Sequence, residues 1–487
     1  MRAGWAVLLV LAGSPATSAR AQPRPASAAE LIERAALAMG GAEAIRGLRN
    51  KTIEFYAVAF ALGQEETPLS PPRASVAAGR IQTDYAGTRQ LLSQELRLVN
   101  GQVNRQRRVT LTTMSMLENN GTLQMDPPGV SANLQRNLSL QPERMILSAL
   151  EHPMATRLPS WTLRGETVDG VRLLLGRDTV SVWFDQTTGL PVASEALTDD
   201  GVLGDRRTIT WYTRWQDAGG LKLPRQVDTE VNGRLLSHNV VTAASINQTL
   251  DETAFAIPDS MAARAPRAPA TPPAITVNLV QLGPSVWRAE GGTHHSLVIE
   301  QGQNLLVVEG PQSAARTKAV LDTLRSRMSG RNVSAVVATH HHHDHSGGLR
   351  EYLAQGIPVI AHSRNVSFVQ GVGVARKTVA PDGLSRGGRM PAVRSVTDTL
   401  VVGSGEGQVV LYPIESAHVE GILAAWVPSA GIVFTSDILS PAANQPLPRP
   451  GSLELVTFAR LNGLNPRQYV GGHGLVVEWS AVEAAAR

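Results

Sequence analysis

Residues 339–348 read Thr-His-His-His-His-Asp-His-Ser-Gly-Gly, and this short stretch decides how the chain around it folds. Residues 333–338, Val-Ser-Ala-Val-Val-Ala, lead into it as an apolar run typical of a strand. Alternate side chains of an extended strand point to the same side, so His340 and His342 face one way. The pair Asp344-His345 follows where the chain turns toward a helix-like segment. The stretch therefore predicts a strand that ends in a metal-binding turn.

A run of four histidines also occurs in affinity tags and in low-complexity metal-binding tracts. Tags lie at chain ends, whereas this run is internal and is interrupted by Asp344. It also lies between an apolar strand and a helix-like segment at residues 347–353. These features favour a folded metal site. His341 and His343 alternate away from the ligand face, so we expect them to support the ligands or to be solvated.

Three further candidate ligands, His418, Asp437 and His473, each follow a strand-like run at a chain reversal. Loops at the ends of regular elements commonly carry functional side chains. A single loop histidine is more often solvated or satisfied in the core. Residues 275–487 nevertheless hold ten of the twelve histidines, so the order of these three after the motif predicts one metal site.

This set of residues resembles the metallo-β-lactamase-fold superfamily over residues 275–487. The resemblance implies an α/β fold, an αββα sandwich that carries a metal pair along one edge. It implies two ligand sets with a bridging carboxylate. These are His340, His342 and His418 for one metal, Asp344, His345 and His473 for the other, and Asp437 between them.

Three neighbouring residues have open roles in this resemblance. Glu309 stands near the place where many relatives have an aspartate before the motif, and we expect it to support the site or to have no role, but not to bind metal. His294 and His295 either line the mouth of the cleft or, as we favour, form a surface pair.

Ligation by imidazole and carboxylate suits Zn²⁺, and two ions per chain are expected. The resemblance implies a binuclear zinc hydrolase whose metal-held hydroxide attacks an ester, thioester, lactone or amide-like carbonyl. Asp344 would be the catalytic residue that orients the hydroxide or accepts its proton. The motif also has the form found in glyoxalase-II-like enzymes. The alternatives are iron-dependent sulfur oxidation on the same fold, or a lipid- or lipoprotein-binding protein with an accessory metal domain.

Residues 22–260 are predicted to form an N-terminal helix followed by a mostly antiparallel β domain. Residues 27–39 have apolar positions at helical spacing, and short β-prone runs recur from about residue 52 to residue 257. This texture resembles the half-barrels of periplasmic lipoprotein-carrier proteins, whose hydrophobic concave face holds acyl chains, and the alternative is a structural or dimerising β domain. We expect a small-molecule or amphiphilic substrate. Residues 261–274 are rich in Ala and Pro and are predicted to be a linker.

The composition of the whole chain limits the number of domains, the partners and the location that we expect. The 487 residues suffice for two or three domains, and a net charge of +4 without a basic stripe argues against a nucleic-acid partner. The chain has no cysteine, so neither disulfides nor thiolate ligands are available. Residues 1–21 have the charged, apolar and small-x-small regions of a cleavable signal peptide, cut after Ala21. We therefore expect a periplasmic or secreted protein without a stable membrane anchor, whose oligomeric state the sequence leaves open.

Overall fold

Antiparallel pairing of consecutive strands builds the first half of the chain into one sheet of 13 strands. The computed structural model of the protein describes residues 25–152, 154–266 and 274–487. The strands of this sheet are β1 (Asn50–Ala61), β2 (Arg73–Asp84), β3 (Arg89–Arg97), β4 (Val103–Thr110), β5 (Ser115–Asn119), β6 (Thr122–Met125), β7 (Thr156–Leu163), β8 (Glu166–Leu175), β9 (Asp178–Asp185), β10 (Pro191–Asp200), β11 (Gly204–Asp217), β12 (Lys222–Val231) and β13 (Arg234–Ile246). Pairing of β1 with β13 joins two meanders, in the order β6-β5-β4-β3-β2-β1-β13-β12-β11-β10-β9-β8-β7. The predicted antiparallel β domain is confirmed.

Helices cover one face of this sheet. They are α1 (Ala28–Met39), α2 (Ala42–Arg46), α3 (Pro128–Ala132), α4 (Leu134–Ser139), α5 (Pro142–Glu151) and α6 (Asp259–Ala262), and a 3-10 turn lies at Glu252–Phe255. A capping box of Ser27 and Glu30 starts α1, and Gly40 with φ 126° ends it, as the predicted helix at residues 27–39 requires. Apolar side chains of α1, α2 and α5 share one buried cluster with strands β8, β9, β11 and β12.

The segment from α3 to α5 adds three helices to the mostly antiparallel sheet that was predicted for residues 52–257. Proline stands in the first turn of both α3 and α5, where its missing N–H costs nothing. The ten residues of α5 bury one apolar face against the sheet, including Met145 and Ile146. Tertiary packing on the sheet therefore stabilises a helix too short to be stable alone.

A buried ion pair fastens α5 to the sheet. Lys51 Nζ lies 2.5 Å from Glu143 Oε1, and the side chain of Glu143 is 0% exposed. The hydroxyl of Tyr85 also donates to Glu143, at 2.6 Å. Burial acts to raise the pKa of Glu143, but the ammonium of Lys51 outweighs burial and holds that pKa below its ordinary value.

The second half of the chain forms two sheets that pack face to face. The first contains β14 (Asn278–Gly283), β15 (Val286–Glu290), β16 (Ser296–Gln301), β17 (Asn304–Val308), β18 (Asn332–Ala338), β19 (Val359–His362) and β20 (Val393–Val396), in chain order. The second contains β21 (Leu400–Val402), β22 (Val409–Ile414), β23 (Ile422–Val427), β24 (Ile432–Phe434), β25 (Gln468–Val470) and β26 (Val477–Glu478), also in chain order. One apolar cluster draws residues from both sheets and fills the space between them.

Helices cover the outer face of each sheet, which makes an αββα sandwich. They are α7 (Ala314–Arg327), α8 (His343–Ser346), α9 (Leu349–Ala354), α10 (Val366–Val374), α11 (Arg449–Leu461) and α12 (Trp479–Ala486), with 3-10 turns at Ser363–Asn365 and Gly405–Gly407. Helices α7, α9 and α10 share a core with the first sheet, and α11 and α12 share one with the second. Strands β16 to β19 are therefore covered on both faces, which explains their continuous apolar sequences.

Two predicted features lie partly or wholly outside the described residues. The predicted signal peptide at residues 1–21 lies outside them, as do residues 267–273 of the predicted linker. Helix α6 ends at Ala262, so the first two residues of that linker are helical. None of the helices in the described ranges combines the length and the apolar content that crossing a bilayer requires.

We predict that Lys51→Met destabilises the folded protein by about 3 kcal/mol near neutral pH, because it leaves the buried Glu143 carboxylate without its cation. The folded pKa of Glu143 lies below its unfolded value, so the pair stabilises the fold above the unfolded pKa, and this stability is lost as the pH falls through the folded pKa. The difference in unfolding free energy between wild type and variant should therefore become smaller as the pH is lowered.

Urea unfolding of wild type and variant at several pH values measures this effect. Arg80→Met is the matched control, because it removes an exposed pair with Glu54 on neighbouring strands and should change stability little. Equal stability of Lys51→Met and wild type at neutral pH would contradict the prediction.

Candidate metal centre

The ends of several strands meet at one edge of the sandwich, and polar side chains follow each of them. Strand β18 ends at Ala338, directly before the motif, and runs parallel to β17 and β19. Strands β22, β24 and β25 end a few residues before three further donors, His418, Asp437 and His473 respectively. The short helix α8 begins within the motif and turns Asp344 and His345 back toward the strand ends. All seven predicted ligands therefore meet at one place.

The first group of donors consists of His340, His342, His418 and Asp437, whose potential ligand atoms all lie within 4.8 Å of one another. Nε2 of His418 lies 3.1 Å from Nδ1 of His342 and 3.5 Å from Oδ2 of Asp437. His340 and His342 are fully buried. The donors therefore point inward to a common centre.

The second group consists of His294, Asp344, His345 and His473, again within 4.8 Å. Nε2 of His345 lies 3.2 Å from Nε2 of His473 and 3.5 Å from Oδ2 of Asp344. Asp437 also reaches this group, because its carboxylate oxygens lie 3.0 Å from His345 Nε2 and 3.4 Å from His473 Nε2. Asp437 thus stands between the two groups, as a bridging carboxylate would.

The geometry of these donors fits metal ions. Two donors that each lie about 2.1 Å from one tetrahedral ion are about 3.4 Å apart, and the contacts above are of this size. Nε2 of His340 and Oδ1 of Asp437 are buried and make no hydrogen bond within the described part of the chain. Buried polar atoms rarely lack a partner, and a cation between the groups would supply one.

In four of the histidines, one ring nitrogen faces the centre and the other contacts a neighbouring oxygen. This is the usual arrangement of metal-binding imidazoles. These oxygens are Thr339 Oγ1 for His340 at 3.1 Å, Glu65 O for His342 at 3.0 Å, Glu309 Oε1 for His345 at 3.2 Å and Thr293 O for His473 at 2.9 Å. The contacts leave Nδ1 of His342, and Nε2 of the other three, facing the centre.

Glu309 supports this arrangement from directly after β17. Its carboxylate is completely buried, accepts a hydrogen bond from Thr339 Oγ1 at 2.6 Å and faces Nδ1 of His345. Its backbone has φ 78°, a left-handed conformation that costs free energy for any residue other than glycine. Glu309 also lies within 4.8 Å of His340 and His345 as a third donor group, but its oxygens already have hydrogen-bond partners.

His294 is a site residue that the sequence interpretation placed wrongly. It is buried instead of forming a surface pair with His295, and its Nε2 lies 3.4 Å from Asp344 Oδ2. Strand β16 follows it and runs antiparallel to β17, so the start of β16 lies beside the end of β17. The two apolar runs at residues 297–299 and 305–308, which form this hairpin, were the available signal in the sequence. His295 is half-buried, and its backbone N–H donates to Gly472 O.

Burial sets the charge state of the first group. It lowers the pKa of His340 well below the ordinary value, lowers that of His342, and lowers that of His418 to about 4. These imidazoles are therefore neutral at pH 7 and have lone pairs for a metal. Burial acts to lower the pKa of His345, but the carboxylates of Glu309 and Asp437 outweigh burial and raise this pKa well above the ordinary value.

The two carboxyls of the centre are ionised. Burial acts to raise the pKa of Asp344, but a hydrogen bond with His294, the charge of His345 and a hydrogen bond from Gln64 hold it well below the ordinary value. Burial likewise acts against ionisation of Asp437, and contacts with His345 outweigh it. The centre thus combines the neutral imidazoles of the first group with two carboxylates, a donor set that suits borderline divalent metals.

His341 and His343 lie away from both donor groups, as the alternation of the strand predicts. His341 is buried and His343 is partly buried, so neither is freely solvated. Both line a cavity of about 580 Å³ between the N-terminal sheet and the sandwich.

Comparison with known proteins gives matches to the second half of the chain. Residues 289–473 match the family model of the metallo-beta-lactamase superfamily. Hydroxyacylglutathione hydrolase of Alkalilimnicola ehrlichii is 41% identical over 58 residues, which are 12% of this chain and 21% of that protein. Hydroxyacylglutathione hydrolase of Gloeobacter violaceus is 32% identical over 135 residues, 26% of this chain and 45% of that protein. The chain spans less than half the length of either relative.

Solved metallo-beta-lactamases also align with this half. DIM-1 metallo-beta-lactamase is 13% identical, with a TM-score of 0.34 over 43% of this chain and 95% of that one. The metallo-beta-lactamase from Pontibacter korlensis is 16% identical, with a TM-score of 0.34 over 43% of this chain and 97% of that one. The family match confirms the resemblance stated from the sequence. Residues 289–473 are therefore similar to the metallo-beta-lactamase superfamily.

Proposed function

We propose that this protein is an exported binuclear zinc hydrolase that cleaves an ester-like carbonyl compound. The position of Asp437 carries the proposal, because its carboxylate lies within 3.5 Å of donor atoms from both groups. A structural zinc site closes four ligands around one ion. Two groups that share one carboxylate have more donors than one ion needs, which favours a catalytic pair.

The ligand assignment follows the two groups. His340, His342 and His418 would hold one ion, and Asp344, His345 and His473 the other, with Asp437 between them. His294 would lie beside the second ion, either as a weak donor or as the hydrogen-bond partner of Asp344.

A bound zinc pair would lower the pKa of a water molecule to about 7 and polarise a substrate carbonyl. The protein's own contribution is to hold the reacting groups and the proton. Asp344 has the most accessible carboxylate of the centre, 39% exposed against 13% for Asp437, so water and substrate reach it. We assign to Asp344 the role of orienting the attacking water or accepting its proton at a carboxylate oxygen.

The substrate proposal rests on chemistry shared with the relatives. Both are named hydroxyacylglutathione hydrolase, which favours a thioester among the ester-like bonds. The proposed export of the protein rests on the pattern of residues 1–21. An exported enzyme would meet a thioester other than a cytosolic glutathione adduct, so lactones and simple esters belong in the same test.

We predict that the purified full chain binds two zinc ions and that Asp437→Ala lowers both metal content and hydrolysis, because this carboxylate faces both donor groups. Elemental analysis gives the stoichiometry, and a panel of chromogenic thioester, ester, lactone and β-lactam compounds gives the activity. We expect at least a tenfold loss of hydrolysis.

Asp322→Ala is the matched control, since Asp322 is exposed on α7 and should leave both measurements unchanged. One iron per chain, or full zinc loading without hydrolysis of any compound, would overturn the proposal and favour sulfur oxidation or a binding role.

We further predict that Glu309→Gln weakens zinc binding by about tenfold, because the neutral amide no longer stabilises the ring orientation and basicity of His345. Competition with a chelator measures the affinity. Glu300→Gln is the control, because Glu300 lies on β16 and contacts Trp287 and Arg331 instead of the centre. Equal affinities of Glu309→Gln and wild type would show that Glu309 has no supporting role.

A second candidate function is favoured by a cavity of about 640 Å³ in the N-terminal domain. Apolar side chains, among them Phe55, Ile81 and Val241, line much of it, and Lys51 and Arg206 add charge. An apolar pocket with a few polar groups is typical of small-molecule sites. The binding of an amphiphilic molecule in this cavity would suit either a substrate-presenting domain or a carrier.

We predict that a fluorescent long-chain fatty acid binds the wild-type chain and that Val241→Trp weakens its binding at least tenfold, because the indole would fill the cavity. Fluorescence titration measures the affinity. Val99→Trp adds the same indole at an exposed position and should bind like wild type. Absence of binding to the wild type, or equal binding by Val241→Trp, would remove this candidate.

A further inference from the structure

A loop of the N-terminal sheet reaches into the metal centre of the other domain. Residues 62–72 connect β1 to β2, and three consecutive residues of this loop contact three consecutive residues of the motif. The carbonyl of Gly63 accepts from the backbone of His343 at 3.1 Å, Gln64 Nε2 donates to Asp344 Oδ1 at 2.8 Å, and the carbonyl of Glu65 accepts from His342 Nε2 at 3.0 Å.

The loop and the motif fit each other closely. Gly63 has φ 83°, and a Cβ atom there would lie 2.3 Å from Cγ of His343, so any side chain would collide with the imidazole. A Cβ atom on Gly201, in the turn between β10 and β11, would lie 2.5 Å from the carbonyl oxygen of Gly347. The N-terminal domain therefore approaches the motif at two points that only glycine fits.

Polar contacts fix the loop on both sides of these residues. Glu65 is buried, and its carboxylate pairs with Arg234 of β13 at 2.5 Å. The carbonyl of Glu66 accepts from the backbone of Glu420 at 3.0 Å. Arg73 pairs with Glu66 at 3.0 Å and donates to the carbonyl of His418 at 2.6 Å. The loop is thus tied to its own sheet and to the segment that carries His418.

The contacts fall on atoms that decide how the donors point. When His342 Nε2 donates to Glu65, its Nδ1 is left to face His418. When Gln64 holds Asp344 Oδ1, the other oxygen faces His345 and His294. A packing interface alone would not require hydrogen bonds to these two side chains. The partners of His340, His345 and His473 come from the sandwich itself.

We propose that residues 63–66 of the N-terminal domain complete the metal centre, with Gln64 as the positioning residue for Asp344 and the Glu65 carbonyl as that for His342. This proposal rests on the proposed function, because it assumes that both side chains bind metal. It gives the N-terminal domain a direct part in the centre, independent of any ligand that its cavity takes.

The test uses Gln64→Met in the full-length chain, since methionine keeps the length of glutamine and loses the amide donor. Metal-free protein is titrated with Zn²⁺ against a chelator and, separately, with Co²⁺ while its visible absorption is recorded. We expect the ion held by Asp344 to bind about tenfold more weakly and its Co²⁺ spectrum to change, while the other ion binds as in wild type.

Gln94→Met is the matched control, because it also removes a 2.8 Å amide hydrogen bond, to Gln106, in the same sheet but far from the motif. It should match wild type in both titrations. Gly63→Ala pushes the loop away from His343 and should weaken the binding of both ions. If this variant does not fold, the titrations of Gln64→Met still test the proposal.

The outcomes separate this inference from the proposed function. A wild-type chain that binds no metal would refute the proposed function. A wild-type chain that binds two ions, together with Gln64→Met that has the same affinities and the same Co²⁺ spectrum, would overturn only the role of residues 63–66.

Discussion

Strand β18 lies between β17 and β19, and backbone hydrogen bonds to both fix its register. A slip of one residue would turn His340 and His342 to the opposite face, because side chains alternate along a strand. Apolar clusters on both faces of the strand make such a slip costly. The direction in which the motif histidines point therefore depends on the sheet pairing, and the loops that carry the other donors are built around that fixed point.

The centre concentrates ionisable groups in a largely buried region, and burial of such groups costs free energy unless they find partners. The protein supplies many of these partners itself. Glu309 and Asp437 flank His345, and Thr339 supports both Glu309 and His340. Nε2 of His340 and Oδ1 of Asp437, two atoms of the donor groups, are left without hydrogen-bond partners. This division between satisfied outer atoms and unsatisfied inner atoms distinguishes a metal site from an ordinary buried polar cluster.

The sequence was informative where local pattern determines structure. The apolar run before His340 and the helical spacing of residues 27–39 both appear in short windows, and their elements, β18 and α1, were predicted. Helix α5 was missed because its stability comes from packing on a sheet formed by distant strands. The partnership of Gln64 with Asp344 was also missed, because it joins residues 280 positions apart and neither side of it has a local signature. The ligand assignment itself stays a prediction.

The contact between the β1–β2 loop and the motif also has a consequence for biosynthesis. A ribosome makes the loop first, and the motif that it contacts emerges 280 residues later, with His473 later still. The N-terminal sheet can fold first, but its loop has no partner until the second domain has formed. A partly made chain would therefore present scattered histidines instead of the assembled centre, and the order of synthesis delays full metal capture until the segment that carries His473 has been made.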